Sequence, residues 1–113
     1  MCRVDVEIIR ERVRTGNYLV KSHAIVHALK EGFERKHMVE AVLEGSIIEE
    51  YPDDQRALIC GKTSKSSSVT IYLHVVCEYA DPVYIEFVTA YILMSLNGKV
   101  LHTFDAKERR SNL

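Results

Sequence analysis

Several features are scarce or missing in this 113-residue chain, and each absence removes a class of protein. There is no surplus of charge of one sign: fifteen Lys and Arg stand against sixteen Asp and Glu, for a net charge of -1. A general nucleic-acid binder carries a basic excess, so any contact with RNA has to use a local basic patch. No run approaches the roughly 18 apolar residues of a membrane span. The N-terminus, MCRVDVEIIRERVR, interleaves charge with apolar residues where a signal peptide needs an unbroken apolar stretch. Neither membrane insertion nor secretion is expected. Cysteine is sparse and odd in number: Cys2, Cys60 and Cys77 form no C-x-x-C pair and read as reduced thiols of a cytoplasmic protein. There is no H-E-x-x-H, no glycine-rich phosphate loop, no internal repeat and no interdomain linker. The reading is a single domain over residues 1–113, long enough for a core without staples, with neither a metal nor a cofactor expected.

What is present is an ordinary globular mixture, 47% hydrophobic and 27% charged. The order is helices first, then strands. Asp5 to Thr15 places Val6, Ile9 and Val13 on one stripe, with Asp5 as cap and Gly16-Asn17 as terminator. Tyr18 to Lys21 reads as a link. Ser22 then caps a helix whose inward stripe is Ala24, Ile25, Ala28 and Leu29, stopped by Gly32, with His23, His27 and Glu31 on the opposite stripe. Arg35 to Glu44 buries Met38, Val39, Val42 and Leu43 and is closed by Gly45. Strands follow at Ser46 to Tyr51, Arg56 to Lys62, Val69 to Tyr79 and Val83 to Leu93, with a turn at Pro52-Asp53-Asp54 and a polar loop over Thr63 to Ser68. Asn97-Gly98 turns the chain into a short edge strand, Lys99 to Phe104, before a charged segment over residues 105–113. The pattern predicts an α+β fold: N-terminal helices packed on one face of a four- or five-stranded antiparallel β-sheet meander, with the other face partly open.

Candidate chemistry sits on these elements. His23 and His27 are spaced i, i+4, so their imidazoles lie on one helix face, the geometry by which helices present two ligands to zinc. No third donor stands at metal-site spacing, since Glu31 is another turn along and His74 is on a distant strand, and the expected reading of the pair is an ordinary solvated helix face. In the strand from Val69, alternation separates Val69, Ile71, Leu73, Val75 and Cys77 from Thr70, Tyr72, His74, Val76 and Glu78. If the first set faces the helices, His74 projects from the open face, where an imidazole can shuttle a proton; a half-buried, hydrogen-bonded histidine is the alternative. His74 and Tyr91 share a face only if their strands pair with an odd residue sum, which the turn at Ala80 to Pro82 does not decide. Tyr91 either packs or stacks a base. Tyr51 ends its strand among Glu49, Glu50, Asp53 and Asp54, and Lys62 with Lys65 and the following serines forms a small cationic spot.

The fragments Ser22-His23-Ala24, Gly45 to Asp54 (GSIIEEYPDD), Leu73 to Val76 (LHVV) and Thr89-Ala90-Tyr91 occur in an order that resembles the domain of unknown function 4258 family, over roughly Leu19 to Leu93. That family is similar in fold to RelE, BrnT and related toxins, small metal-independent ribonuclease-like domains. The resemblance implies His23, His74 and Tyr91 as catalytic residues. Tyr51, Lys62 and Tyr72 are the substrate-binding candidates, and RNA or a cognate antitoxin protein is the expected partner. The chain departs from the family at His27 and Glu31, where arginines are usual, and at Ile92-Leu93-Met94, where a proline-containing segment is usual. A second reading is a catalytically silent homodimeric interaction module that uses the apolar strand Ile85 to Met94.

Overall fold

The structure, a computed structural model, describes residues 5–95 and 99–100, with side chains described through Leu93. Cys2, the Asn97-Gly98 turn, the end of the strand expected to reach Phe104 and the charged segment 105–113 lie outside the described residues. The elements run α1 (Val6–Arg14), β1 (Tyr18–Val20), α2 (Ser22–Glu31), α3 (Arg35–Glu44), β2 (Ser46–Tyr51), a 3-10 turn (Pro52–Asp54), β3 (Arg56–Ser66), β4 (Val69–Glu78), β5 (Ile85–Ser95) and β6 (Lys99–Val100).

The sheet has the order β1-β5-β4-β3-β2, with the two-residue β6 also on β5. The consecutive strands β2 to β5 pair antiparallel, as the meander requires, whereas β1 joins β5 in parallel, Tyr18 opposite Ile85 and Val20 opposite Phe87. The sheet is therefore mixed, though mostly antiparallel. The segment expected as a link, Tyr18 to Lys21, is largely a strand because β5 offers an edge to it. A three-residue strand has no periodicity of its own, and its partner lies far along the chain. Between β3 and β4 the expected loop is a tight hairpin: Ser66 pairs with Val69, so the polar residues Thr63 to Ser66 are strand.

Helix starts and stops follow local chemistry. The Glu7 amide donates to Asp5 Oδ1 at 3.0 Å, and this cap satisfies one of the free donors of the first turn of α1. Ser22 is the first residue of α2 and not its cap, which is Lys21, and no side-chain cap bond is made there. Gly32 ends α2 in the left-handed conformation at φ 81°, where glycine carries no steric cost. In α3 the buried His37 accepts from the Glu34 amide at Nδ1, 2.8 Å.

One face of the sheet carries the core. Ile71, Leu73, Val75 and Cys77 of β4 and Ile85, Phe87 and Ala90 of β5 pack with Ile9, Val13, Ala24, Ala28, Phe33, Met38, Ala41 and Val42 of the helical side. Helix α3 lies on β3 and β4, α2 runs along β5, and α1 packs on α3. The α3 contact is a backbone approach: a Cβ on Gly61 would stand 1.8 Å from the Ala41 carbonyl oxygen, and one on Gly45 would stand 2.4 Å from the Cys60 carbonyl oxygen. Helix α2 departs from its expected stripe. Only Ala24 and Ala28 are buried, while Ile25 and Leu29 face solvent, Leu29 at 77% exposure. Two alanines at i, i+4 bring the helix close to β5, and the narrow contact leaves the larger side chains outside.

Candidate functional site

The sheet face turned away from the helices holds the strand candidates in ordered rows. Pairing places Cys60 opposite His74 and His74 opposite Tyr91, so thiol, imidazole and phenol form one row across β3, β4 and β5. The pairing sum of His74 and Tyr91 is odd, and the two side chains share a face. Their rings meet edge to face with centroids 5.3 Å apart and planes at 67°, a preferred aromatic geometry. The neighbouring row puts Lys62 opposite Tyr72, and on the other side Leu58 stands opposite Val76, with Thr89 beyond. Further along, Tyr51 opposes Arg56 and Arg56 opposes Glu78.

Two irregularities make this alignment. The β4–β5 register shifts between Tyr72 and Leu73 and again between Val76 and Cys77. Between those shifts the pairing has the odd sum that joins His74 to Tyr91; outside them it does not. A bulge re-aims side chains in this way without disturbing the core face, where Leu73, Val75 and Cys77 remain packed.

The face is not open in the sense that alternation alone suggests. His74 is 3% exposed and Tyr91 8%, and Leu58, Val76 and Thr89 are buried. The reason is legible after the fact: Leu58 and Val76 share the parity of His74, so this face carries its own apolar row, as in a strand buried on both sides. Exposure grows from this floor outward, through half-buried Tyr72 and Tyr51 to exposed Lys62.

Electrostatics differ along the face. At one end Tyr51 donates from its hydroxyl to Glu49 Oε1 at 2.9 Å, Arg56 Nε pairs with Glu78 Oε1 at 3.1 Å, and Glu86 pairs with Lys21 Nζ at 3.3 Å. At this end two carboxylates, Glu78 and Glu86, are paired with cations and Glu49 accepts from a phenol. The His74 end is flanked by Lys62 and by the Cys60 thiol. Burial pushes the Cys60 pKa up, so the group is a neutral thiol near pH 7 and a poor nucleophile. In the sequence Cys60 reads only as a reduced thiol. Its place beside His74 follows from the β3–β4 register, which no local pattern reveals.

His23 is exposed on α2, which packs along β5. Its ring contacts that of His27, with centroids 4.8 Å apart and planes at 56°. The structure thus assembles two pairs, His74 with Tyr91 and His23 with His27, and strand β5 lies between α2 and the strand that carries His74. The His27 pKa is lowered, first by burial and then by His23, against the opposing pull of Glu31. Glu31, which stands where an arginine is usual in the resembling family, accepts from the Ile92 amide at 2.7 Å. It closes part of the β5 edge that β1 and β6 leave uncovered, since those strands pair only with Ile85 to Phe87 and with Met94-Ser95. Among the described residues no group of three or more His, Cys, Asp or Glu is placed to hold a metal ion.

Among the described residues no helix is long and apolar enough to cross a membrane. Neither a curated protein nor a solved structure matches the chain. One family does, over residues 20–92, well over half of the chain and spanning the fragments Ser22-His23-Ala24 through Thr89-Ala90-Tyr91. The chain belongs to the family described as domain of unknown function DUF4258.

Proposed function

We propose that this chain is a cytoplasmic, toxin-like module that binds or cleaves RNA without a metal or cofactor, with His74 and Tyr91 at the floor of its site. The observation that carries the reading is the ring contact of His74 with Tyr91 in directly opposed register, 5.3 Å between centroids. A proton-transferring imidazole beside a phenol, on the floor of a face whose rim bears Tyr72 and Lys62, supplies the parts for such work. In cleavage His74 takes the proton of a ribose 2′-hydroxyl as that oxygen attacks the adjacent phosphorus. The P–O5′ bond then breaks, and the leaving oxygen is protonated from solvent. Tyr91 orients the imidazole, Tyr72 stacks a base, and Lys62 meets a phosphate. Tyr51, tied to Glu49, borders the far end of the same face. No step falls to His23, whose ring lies against that of His27 on α2. The RelE- and BrnT-like fold that the sequence resemblance implies is of the same class and points to an antitoxin protein as partner.

The test is induced expression in a bacterial host. Wild type should arrest growth and shorten cellular RNA, and His74→Asn should do neither. A harmless wild type that leaves RNA intact would overturn the reading.

A second reading, a homodimeric interaction module, is favoured by one observation: Ile25, Val26 and Leu29 form an exposed apolar ridge on α2. The β5 strand first expected as the contact is mostly used inside the fold, with Ile85, Phe87, Ala90 and Tyr91 buried. Under this reading Leu29→Glu lowers the solution mass of the protein, and wild type is inert toward RNA.

A further inference from the structure

The His23–His27 pair is not used by the function proposed above, yet it is one of the few places where two ligating side chains meet in the open. His23 is exposed, His27 half-buried, and both sit on one face of a regular helix that ends in a proper glycine cap. The ring separation carries the argument. A metal–imidazole bond of about 2.0–2.1 Å puts a ring centroid about 3.2 Å from the ion, so two rings meeting at 90–110° have centroids about 4.5–5.2 Å apart. The observed 4.8 Å lies inside that window. Spacing i, i+4 sets the two Cβ atoms one turn apart, and the exposed His23 ring can turn to aim a nitrogen at the half-buried His27 without disturbing the core.

We infer that His23 and His27 form a reversible two-imidazole chelate for a late first-row divalent cation, Ni²⁺, Cu²⁺ or Zn²⁺, bridging the first two turns of α2. Two protein donors are too few for a resident structural zinc, so water completes the coordination and the ion exchanges. Imidazole donors select this class over Mg²⁺ and Ca²⁺, which prefer oxygen. Glu31, one turn beyond His27, is engaged by the Ile92 amide and stays outside the coordination sphere. Lys30 lies near His27 and opposes a bound cation, whereas Glu31 favours one. A bound ion staples α2, the helix that flanks the β5 edge, and therefore stabilises the fold by linkage.

The experiment titrates the full chain with NiCl2 at pH 7.5, following Tm and the ring-proton NMR signals of the five histidines. The expected result is saturable binding of one ion with Kd below about 1 mM. A rise in Tm of at least about 5 °C is expected at 100-fold excess over Kd, with paramagnetic broadening confined to His23 and His27. His27→Asn, whose metal-free Tm and circular dichroism should match wild type, binds at least about tenfold more weakly. MgCl2 shifts nothing. No saturable binding, unchanged affinity in His27→Asn, or broadening centred on His37, His74 or His102 would each overturn the inference.

Discussion

The two faces of β4 and β5 are both closed to solvent at their centres, but with different material. Toward the helices every packed side chain of these strands is apolar or a thiol: Leu73, Val75, Cys77, Phe87 and Ala90. On the far side the apolar Leu58 and Val76 alternate with His74, Thr89 and Tyr91. Burying an imidazole and a phenol costs free energy unless each keeps a partner. Both faces bury apolar side chains, but only the far one holds an imidazole and a phenol at its centre, and that contrast is the basis for locating chemistry there.

The largest loss is expected at the helix-covered face. Gly61→Val places side-chain atoms against the Ala41 carbonyl, where even a Cβ would stand at 1.8 Å. Backbone cannot yield as a flexible side chain does, so the expected loss is about 3 kcal/mol or more, read as the fall in the urea midpoint. A loss below about 1 kcal/mol would mean that α3 does not rest on β3 as described.

Leu58→Ala sharpens the other side. Leu58 is wholly buried on the far face, so truncation should cost about 2–4 kcal/mol by the same measurement. A surface leucine costs far less, and a change under about 0.5 kcal/mol would show that this face is open after all.

The smallest effect concerns pH. The His27 pKa is lowered from its ordinary 6.5, chiefly by burial. The folded chain therefore holds fewer protons at this site than the unfolded chain, and stability should rise with pH through the window just below 6.5. Its contribution is complete above that value and is lost as pH falls. Tm measured from pH 7.5 to 5.5 should drop more steeply for wild type than for His27→Gln. Parallel slopes would remove His27 as a cause.

Much of this fold was legible locally. Helix α3 and strand β2 have the expected bounds because caps, turn residues and periodicity agree there: Arg35 to Glu44 precedes a glycine, and Ser46 to Tyr51 precedes Pro52. What escaped depends on partners distant in sequence. Tyr18 to Val20 becomes a strand through β5, more than sixty residues later. Ile25 and Leu29 match a helical stripe as well as Ala24 and Ala28 do, and only the close approach to β5 selects the alanines. Glu31 reads as a solvated charge until the Ile92 amide is beside it. For the candidate site, the sequence marks His74 and Tyr91 as residues of interest but leaves their parity open. Two register shifts in β4–β5 decide it, and the shared face of Cys60, His74 and Tyr91 exists only in the pairing.

In the proposed reaction His74, beside Tyr91, takes a proton from RNA. The most direct test is turnover of a short single-stranded RNA by purified wild type and His74→Asn, after urea unfolding has shown both to be folded. Loss of a general base predicts a rate at least about 100-fold lower in the variant. Equal turnover by the two proteins, or none by wild type, would contradict the account.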